Sequence, residues 1–196
     1  MKKIIFPIVA IGLMSYTSNA QQKPSDFNTE IEKWKKELVL NGEVGKPCRE
    51  DDNWDKWQEE NPNAYFGLEE IQSMEYDFNS DGIKDGLFYF PAYNCVGGNG
   101  IGSDFALLVY SNNGQLLTNK NITKTIQQEI KYSFEEKGIY DIYKIILTYK
   151  GLGKTVVGDY SAWTNNDASC CNSFSGTFEY NPIDFSLTTE NKTNSK

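Results

Sequence analysis

The chain has 196 residues, of which 39% are hydrophobic, 14% aromatic and 23% charged, and its formal net charge is −8. That length houses one domain with a proper core, and the aromatic content excludes a disordered chain. The acidic balance argues against nucleic acid as a partner, because phosphate binding needs a basic face. With no histidine present, His-based triads, HExxH zinc sites and imidazole general bases are excluded.

Residues 1–20 read as a bacterial secretory signal peptide. Lys2 and Lys3 form the charged region, Ile4 to Met14 the apolar region, and Ser18-Asn19-Ala20 a small-residue cleavage site before Gln21. The apolar run is too short for a membrane-spanning helix, and no later run is long and apolar enough. The expected location is exported, periplasmic or extracellular. The remaining chain, 21–189, is expected to be a single β-rich domain with an N-terminal helix, followed by a polar, frayed tail over 190–196.

Residues 25–41 carry Phe27, Ile31, Trp34 and Leu38 on one helical stripe, with Ser25 as a cap and Gly42 where a terminating glycine belongs. Trp34 reads as a core anchor. The acidic stretch 43–72 holds Trp54 and Trp57 at a helical spacing, which predicts a short helix lidding the core. From residue 73 the pattern turns to β. Strands are expected over 73–78, 87–91, 105–111, 142–149, 155–162, 173–180 and 184–188, each rich in Tyr, Phe, Ile or Val and bounded by Gly, Asn or Asp. Asn112-Asn113-Gly114 is a hairpin turn signal. Residues 122–134 fit two periods: Ile122, Ile126 and Ile130 suit a helix, whereas the even positions from Ile126 to Phe134 are apolar except Gln128. They are read as a strand, with Glu135-Glu136-Lys137-Gly138 as the turn out of it. The glycine run 97–102 has G-x-G spacing but precedes a strand, so it reads as a loop and not as a phosphate cradle. Tyr160, Trp163, Asn165, Asn166 and Asp167 form a possible sugar-binding connection, a composition equally common in ordinary β-connections.

All four cysteines, Cys48, Cys95, Cys170 and Cys171, lie after the signal peptide. In an oxidising compartment an even count reads as disulfides. Neighbouring Cα atoms sit about 3.8 Å apart, whereas an ordinary bridge wants about 4.4–6.8 Å. Cys170 and Cys171 are therefore each expected to reach Cys48 or Cys95; the rival readings, a zinc site or a redox pair, lack CxxC spacing and any histidine. The fold class that follows is α+β and mostly antiparallel: an N-terminal helix packed on a β-sheet of hairpins, disulfide-bonded.

One segment carries chemistry. Asp77-Phe78-Asn79-Ser80-Asp81-Gly82-Ile83-Lys84-Asp85 has the pattern D-x-N-x-D-G-x-x-D. Oxygen side chains at its first, third and fifth positions can converge on one point, glycine at the sixth allows the sharp turn, and the seventh carbonyl faces inward. Hard oxygen ligands in this number suit Ca²⁺ better than Mg²⁺. The expected ligands are Asp77, Asn79, Asp81, Asp85 and the Ile83 carbonyl. Phe88 stands where an EF-hand would carry its bidentate Glu, and the flanks read as strands, so this is no EF-hand.

The segment resembles the β-hairpin calcium loops of the FG-GAP and VCBS repeat families, whose pattern also places apolar residues where Phe78 and Ile83 stand. A weaker likeness extends along the chain. The order of this hairpin, Cys95-Val96-Gly97-Gly98, FALLVYSNNGQL, KIILTY and SCCNS is similar to single-copy exported domains with such a loop. The resemblance implies a calcium-stabilised, non-enzymatic exported binding domain, with a protein or a glycan as partner and no catalytic residues. The alternative is a periplasmic inhibitor or immunity protein that neutralises a toxin or hydrolase. A third reading is a carboxylate-based hydrolase, although no spacing singles out a pair of acids.

Overall fold

The computed structural model describes residues 27–47, 54–95, 102–112, 114–168 and 170–192. The expected signal peptide, Cys48, the glycine run up to residue 101 and the last four residues of the expected tail lie outside them. The chain is α+β with mostly antiparallel strands. In chain order the elements are α1 (Phe27–Leu40), β1 (Val44–Gly45), α2 (Trp54–Glu60), β2 (Phe66–Gly67), β3 (Gln72–Tyr76), β4 (Asp85–Phe90), β5 (Phe105–Asn112), β6 (Gln115–Asn119), α3 (Ile122–Glu135), β7 (Ile142–Leu152), β8 (Val156–Thr164), β9 (Phe174–Tyr180) and β10 (Leu187–Lys192).

Two four-stranded antiparallel sheets, β3-β4-β5-β6 and β10-β9-β8-β7, make up the body, and β1 and β2 form a small parallel pair. Strand β4 is buried on both faces. Its alternation sends Phe88 and Phe90 to one side and Leu87 and Tyr89 to the other. The first side receives α1, whose Trp34 and Leu38 pack with Val44, Phe88, Phe90, Leu107 and Val109. Trp34 lies 5.5 Å from the Phe90 ring, the core anchor that its stripe predicts. The second side faces α3 and the other sheet: Leu87, Tyr89 and Leu108 share a core with Ile126, Leu147, Tyr160 and Phe178.

The segment 122–134 is a helix and not a strand. Ile122, Ile126, Ile130 and Phe134 recur every four residues and are all buried in the main core. On a strand these four would share one face with Gln128 and Tyr132, whereas the helical period removes both from that face. Gly138 then closes α3. It sits at φ +81°, the Gly138 N–H donates to Glu135 O at 2.9 Å, and the Ile139 N–H donates to Phe134 O at 3.0 Å. That is the double bond of a left-handed helix stop, which a side chain would strain.

Further expectations are corrected. Tyr160 and Trp163 are buried, so they are core residues of β8 and no platform for a sugar. Strand β10 runs on to Lys192, paired with Ser175, so the expected tail begins in a strand. Strand β6, unassigned from the sequence, follows the turn ending at Gly114. Cys170 and Cys171 are exposed free thiols on the connection between β8 and β9, and neither reaches a distant cysteine. Cys95 is fully buried elsewhere, beside Trp57 and Ala64. In α2, Trp57 is buried with Ala64 and Cys95 in a cluster separate from the two larger cores, and its indole N–H donates to Lys46 O at 2.9 Å. No helix among the described residues is long and apolar enough to cross a membrane.

Candidate functional site

The loop 77–85 joins β3 to β4 as the sequence implies, and its geometry is set by side chains folding back onto the backbone. Ser80 and Gly82 both take left-handed φ, +60° and +83°. This coils the chain so that the N–H groups of Asp81 and Gly82 point inward. Asp77 accepts both, at 3.1 Å on one oxygen and 2.9 Å on the other. Asn79 Oδ1 also accepts from the Asp81 N–H at 3.1 Å, so Asp77 and Asn79 meet at one point. Asp81 accepts from the Ile83 N–H at 2.8 Å and from the Ser111 hydroxyl on the neighbouring β5. The Ser111 hydroxyl holds the Asp81 carboxyl below its usual range; burial opposes this, and the Ile83 N–H and the Asn79 amide add to the lowering.

Asp85 stands apart at the first residue of β4. It is 0% exposed. One oxygen accepts the Phe78 N–H at 3.0 Å and the other accepts the Ser111 N–H at 2.8 Å. Asp85 therefore ties the start of the loop to β5. Burial pushes its carboxyl up, the two N–H bonds oppose that, and the charges of Asp81 and Asp77 add to the rise. Among the described residues no ion pair involves Asp77, Asp81 or Asp85, since the nearby Lys84 pairs with Glu75 at 3.3 Å. The oxygens do not form one closed shell. Among the described residues no group of three or more acidic, cysteine or histidine side chains is drawn together as a metal-holding cluster. The loop thus gathers Asp77, Asn79 and Asp81, keeps Ile83 at its rim through the bond to Asp81, and commits both oxygens of Asp85 to the backbone.

Two features near α3 escaped the sequence reading. The first is a second buried acid, Asp104, 8% exposed, just before β5. Its carboxylate accepts the Tyr149 N–H at 3.0 Å, and its own N–H donates to Leu147 O at 3.0 Å. Beside it, Ser103 Oγ accepts the Leu147 N–H at 3.1 Å, and Gln127 donates to Ile145 O at 2.7 Å. These contacts cover the outer edge of β7. Burial pushes the Asp104 carboxyl up to about 6, with the Tyr149 N–H opposing. The second is a groove of about 460 Å³ between α3 and β7, walled by Lys124, Lys131, Lys144, Gln127, Gln128 and Tyr143, with no acidic side chain in its lining. Among the described residues neither Lys124 nor Lys131 has an ion-pair partner, while Lys144 lies 5.1 Å from the Trp163 ring centre. The signal for Asp104 was an acid directly before an apolar strand. The groove had none, because its lysines come from two elements far apart in sequence.

No known protein family, curated protein or solved structure matches the chain.

Proposed function

We propose that the chain is an exported, non-enzymatic binding domain whose β3–β4 hairpin is held by Ca²⁺. The observation that carries the ion is electrostatic. Asp77, Asp81 and Asp85 share one hairpin, among the described residues none of them is in an ion pair, and the charges of Asp81 and Asp77 add, after burial, to the rise of the Asp85 carboxyl. A divalent ion bound by Asp77, Asn79, Asp81 and the Ile83 carbonyl, with Asp85 sharing an oxygen, would relieve that repulsion. The ion's role in this reading is structural. Binding falls to the groove between α3 and β7, where three lysines, two glutamines and Tyr143 in an acidic protein favour an anionic group on a protein or glycan. Among the described residues Cys95 is disulfide-bonded, whereas Cys170 and Cys171 are free.

The melting temperature, titrated with calcium and with EDTA, tests the ion. Binding only to the folded state adds about 2.7 kcal/mol at a hundredfold excess over Kd. Asp81→Ala should abolish that gain and Asp159→Ala should leave it. A wild-type melting curve indifferent to both reagents, with no ion found by elemental analysis, would leave the loop as a plain hairpin turn.

The inhibitor reading has one observation of its own. In the turn between β9 and β10, Ile183 and Phe185 are exposed, and Phe185 takes a φ of +62°, a costly backbone for an aromatic residue. An apolar tip of this kind suits insertion into a partner's pocket. Co-purification with the products of adjacent genes, with and without Phe185→Ser, separates this reading from the first.

A further inference from the structure

The connection between β8 and β9 is pinned at its base. The Asp167 carboxylate accepts the Thr164 N–H at 2.7 Å, the Ser173 N–H at 3.0 Å and the Ser173 hydroxyl at 2.6 Å, which ties the two ends together. A second turn, closed by the Cys171 N–H on Ala168 O at 2.9 Å, carries the two neighbouring cysteines. Both are exposed, both are free, and their thiols are hydrogen-bonded to each other. The other described cysteine, Cys95, is fully buried in a different cluster. Each of these thiols therefore has the other as its intramolecular neighbour, on a loop whose anchoring does not depend on sulfur.

We infer that Cys170 and Cys171 form a thiol–disulfide exchange site that takes small-molecule disulfides. The Cys170 thiolate attacks one sulfur of the disulfide. The S–S bond breaks, a mixed disulfide forms on Cys170, and one small thiol leaves with the proton that Cys170 gave up. The Cys171 thiolate then attacks the Cys170 sulfur and expels the second small thiol. Two protein thiols have then lost two hydrogens and two electrons, and the small disulfide has become two thiols. The order of attack follows from the pair itself. The hydrogen bond with Cys170, before all other causes, pushes the Cys171 thiol above its usual range, and the Asp167 charge adds to this. Cys171 is thus the weaker first nucleophile. Closure between adjacent residues brings Cα atoms about 3.8 Å apart into a bridge that prefers about 4.4–6.8 Å, so the product is strained and readily reduced.

The full chain incubated with oxidised glutathione and followed by intact mass and non-reducing peptide mapping tests this. Wild type should end two hydrogens lighter, with a Cys170–Cys171 bridge, no adduct and no dimer, and a mild thiol should reverse it before the bridge on Cys95 opens. Cys171→Ser should stop at one glutathione on Cys170, and Cys170→Ser at one glutathione on Cys171, since neither variant has a second thiol to expel it. Persistent free thiols, two stable adducts, a covalent dimer, or linkage of either residue to Cys48 or Cys95 would overturn the assignment. A first mixed disulfide trapped on Cys171 in wild type would overturn the order of attack.

Discussion

Two buried aspartates sit at opposite ends of β5, and they are satisfied to different degrees. Asp85 is the more enclosed, yet each of its oxygens meets a backbone N–H, from Phe78 and from Ser111. Asp104 accepts one, from Tyr149, and its carboxyl rises to about 6. Both acids are pushed up chiefly by burial. The difference lies in what holds them in place. Asp85 is a tie between two segments and is stressed by the acids beside it, whereas Asp104 covers a strand edge and bears an electrostatic cost at neutral pH. A carboxylate can thus be retained in a core because the backbone needs its oxygens, even where its charge is unwelcome.

Removing the tie should cost most. Asp85→Ala leaves the Phe78 and Ser111 N–H groups buried without acceptors, at about 1–3 kcal/mol each less the relief of a buried charge, so a net loss of about 2–5 kcal/mol is expected in urea unfolding. Asp85→Asn keeps one acceptor and turns an amide N–H₂ toward the other donor, so it should recover part of the loss and no more.

Asp104→Asn should act with the opposite sign. The folded carboxyl holds its proton more tightly than the unfolded one, so stability is full below about pH 4 and falls as pH rises through about 6. The asparagine retains an acceptor for the Tyr149 N–H and removes the titration. Unfolding curves should show the variant about 1–3 kcal/mol more stable than wild type at pH 7.5 and equal to it at pH 4. A pH-independent difference would mean that Asp104 does not titrate in this window.

The smallest effect belongs to an exposed acid. Asp159 pairs with Lys150 and, at 3.4 Å, with Lys192 on the solvent side of its sheet. Asp159→Asn should change stability by less than about 1 kcal/mol, and less still in high salt. If it matched Asp85→Ala, the contrast between a backbone tie and a surface pair would fail.

The sequence was most legible where one period ruled. Phe27, Ile31, Trp34 and Leu38 announce α1, and Gly42 marks its end as expected. A continuous apolar run marks β5, and alternation marks most of β8. It misled over 122–134, because residues spaced by four satisfy a period of two as well, and the deciding Gln128 was discounted as an exception. Trp163 and Tyr160, three positions apart and so on opposite faces of β8, are both buried, and composition does not reveal that the strand is covered on both faces there. Of the site, the loop's position and its gathering of Asp77, Asn79 and Asp81 were readable from spacing. The role of Asp85 was not, because its second partner, Ser111, lies on another strand. Cys170 and Cys171 were misassigned on a count that presumed every thiol to be paired, whereas Cys95 is bonded as expected.

The covering of β7 has a consequence for assembly. An open strand edge is a template on which another chain can grow, and Ser103, Asp104 and Gln127 fill that of β7 with bonds from the same molecule. The sheet's other border, β10, is left with Thr188, Thr189, Glu190, Asn191 and Lys192, a polar row with charges that resist docking of a second strand. Growth of this sheet into fibres is thereby blocked at one end by occupancy and at the other by charge, and Asp104→Ala would reopen the first of those ends.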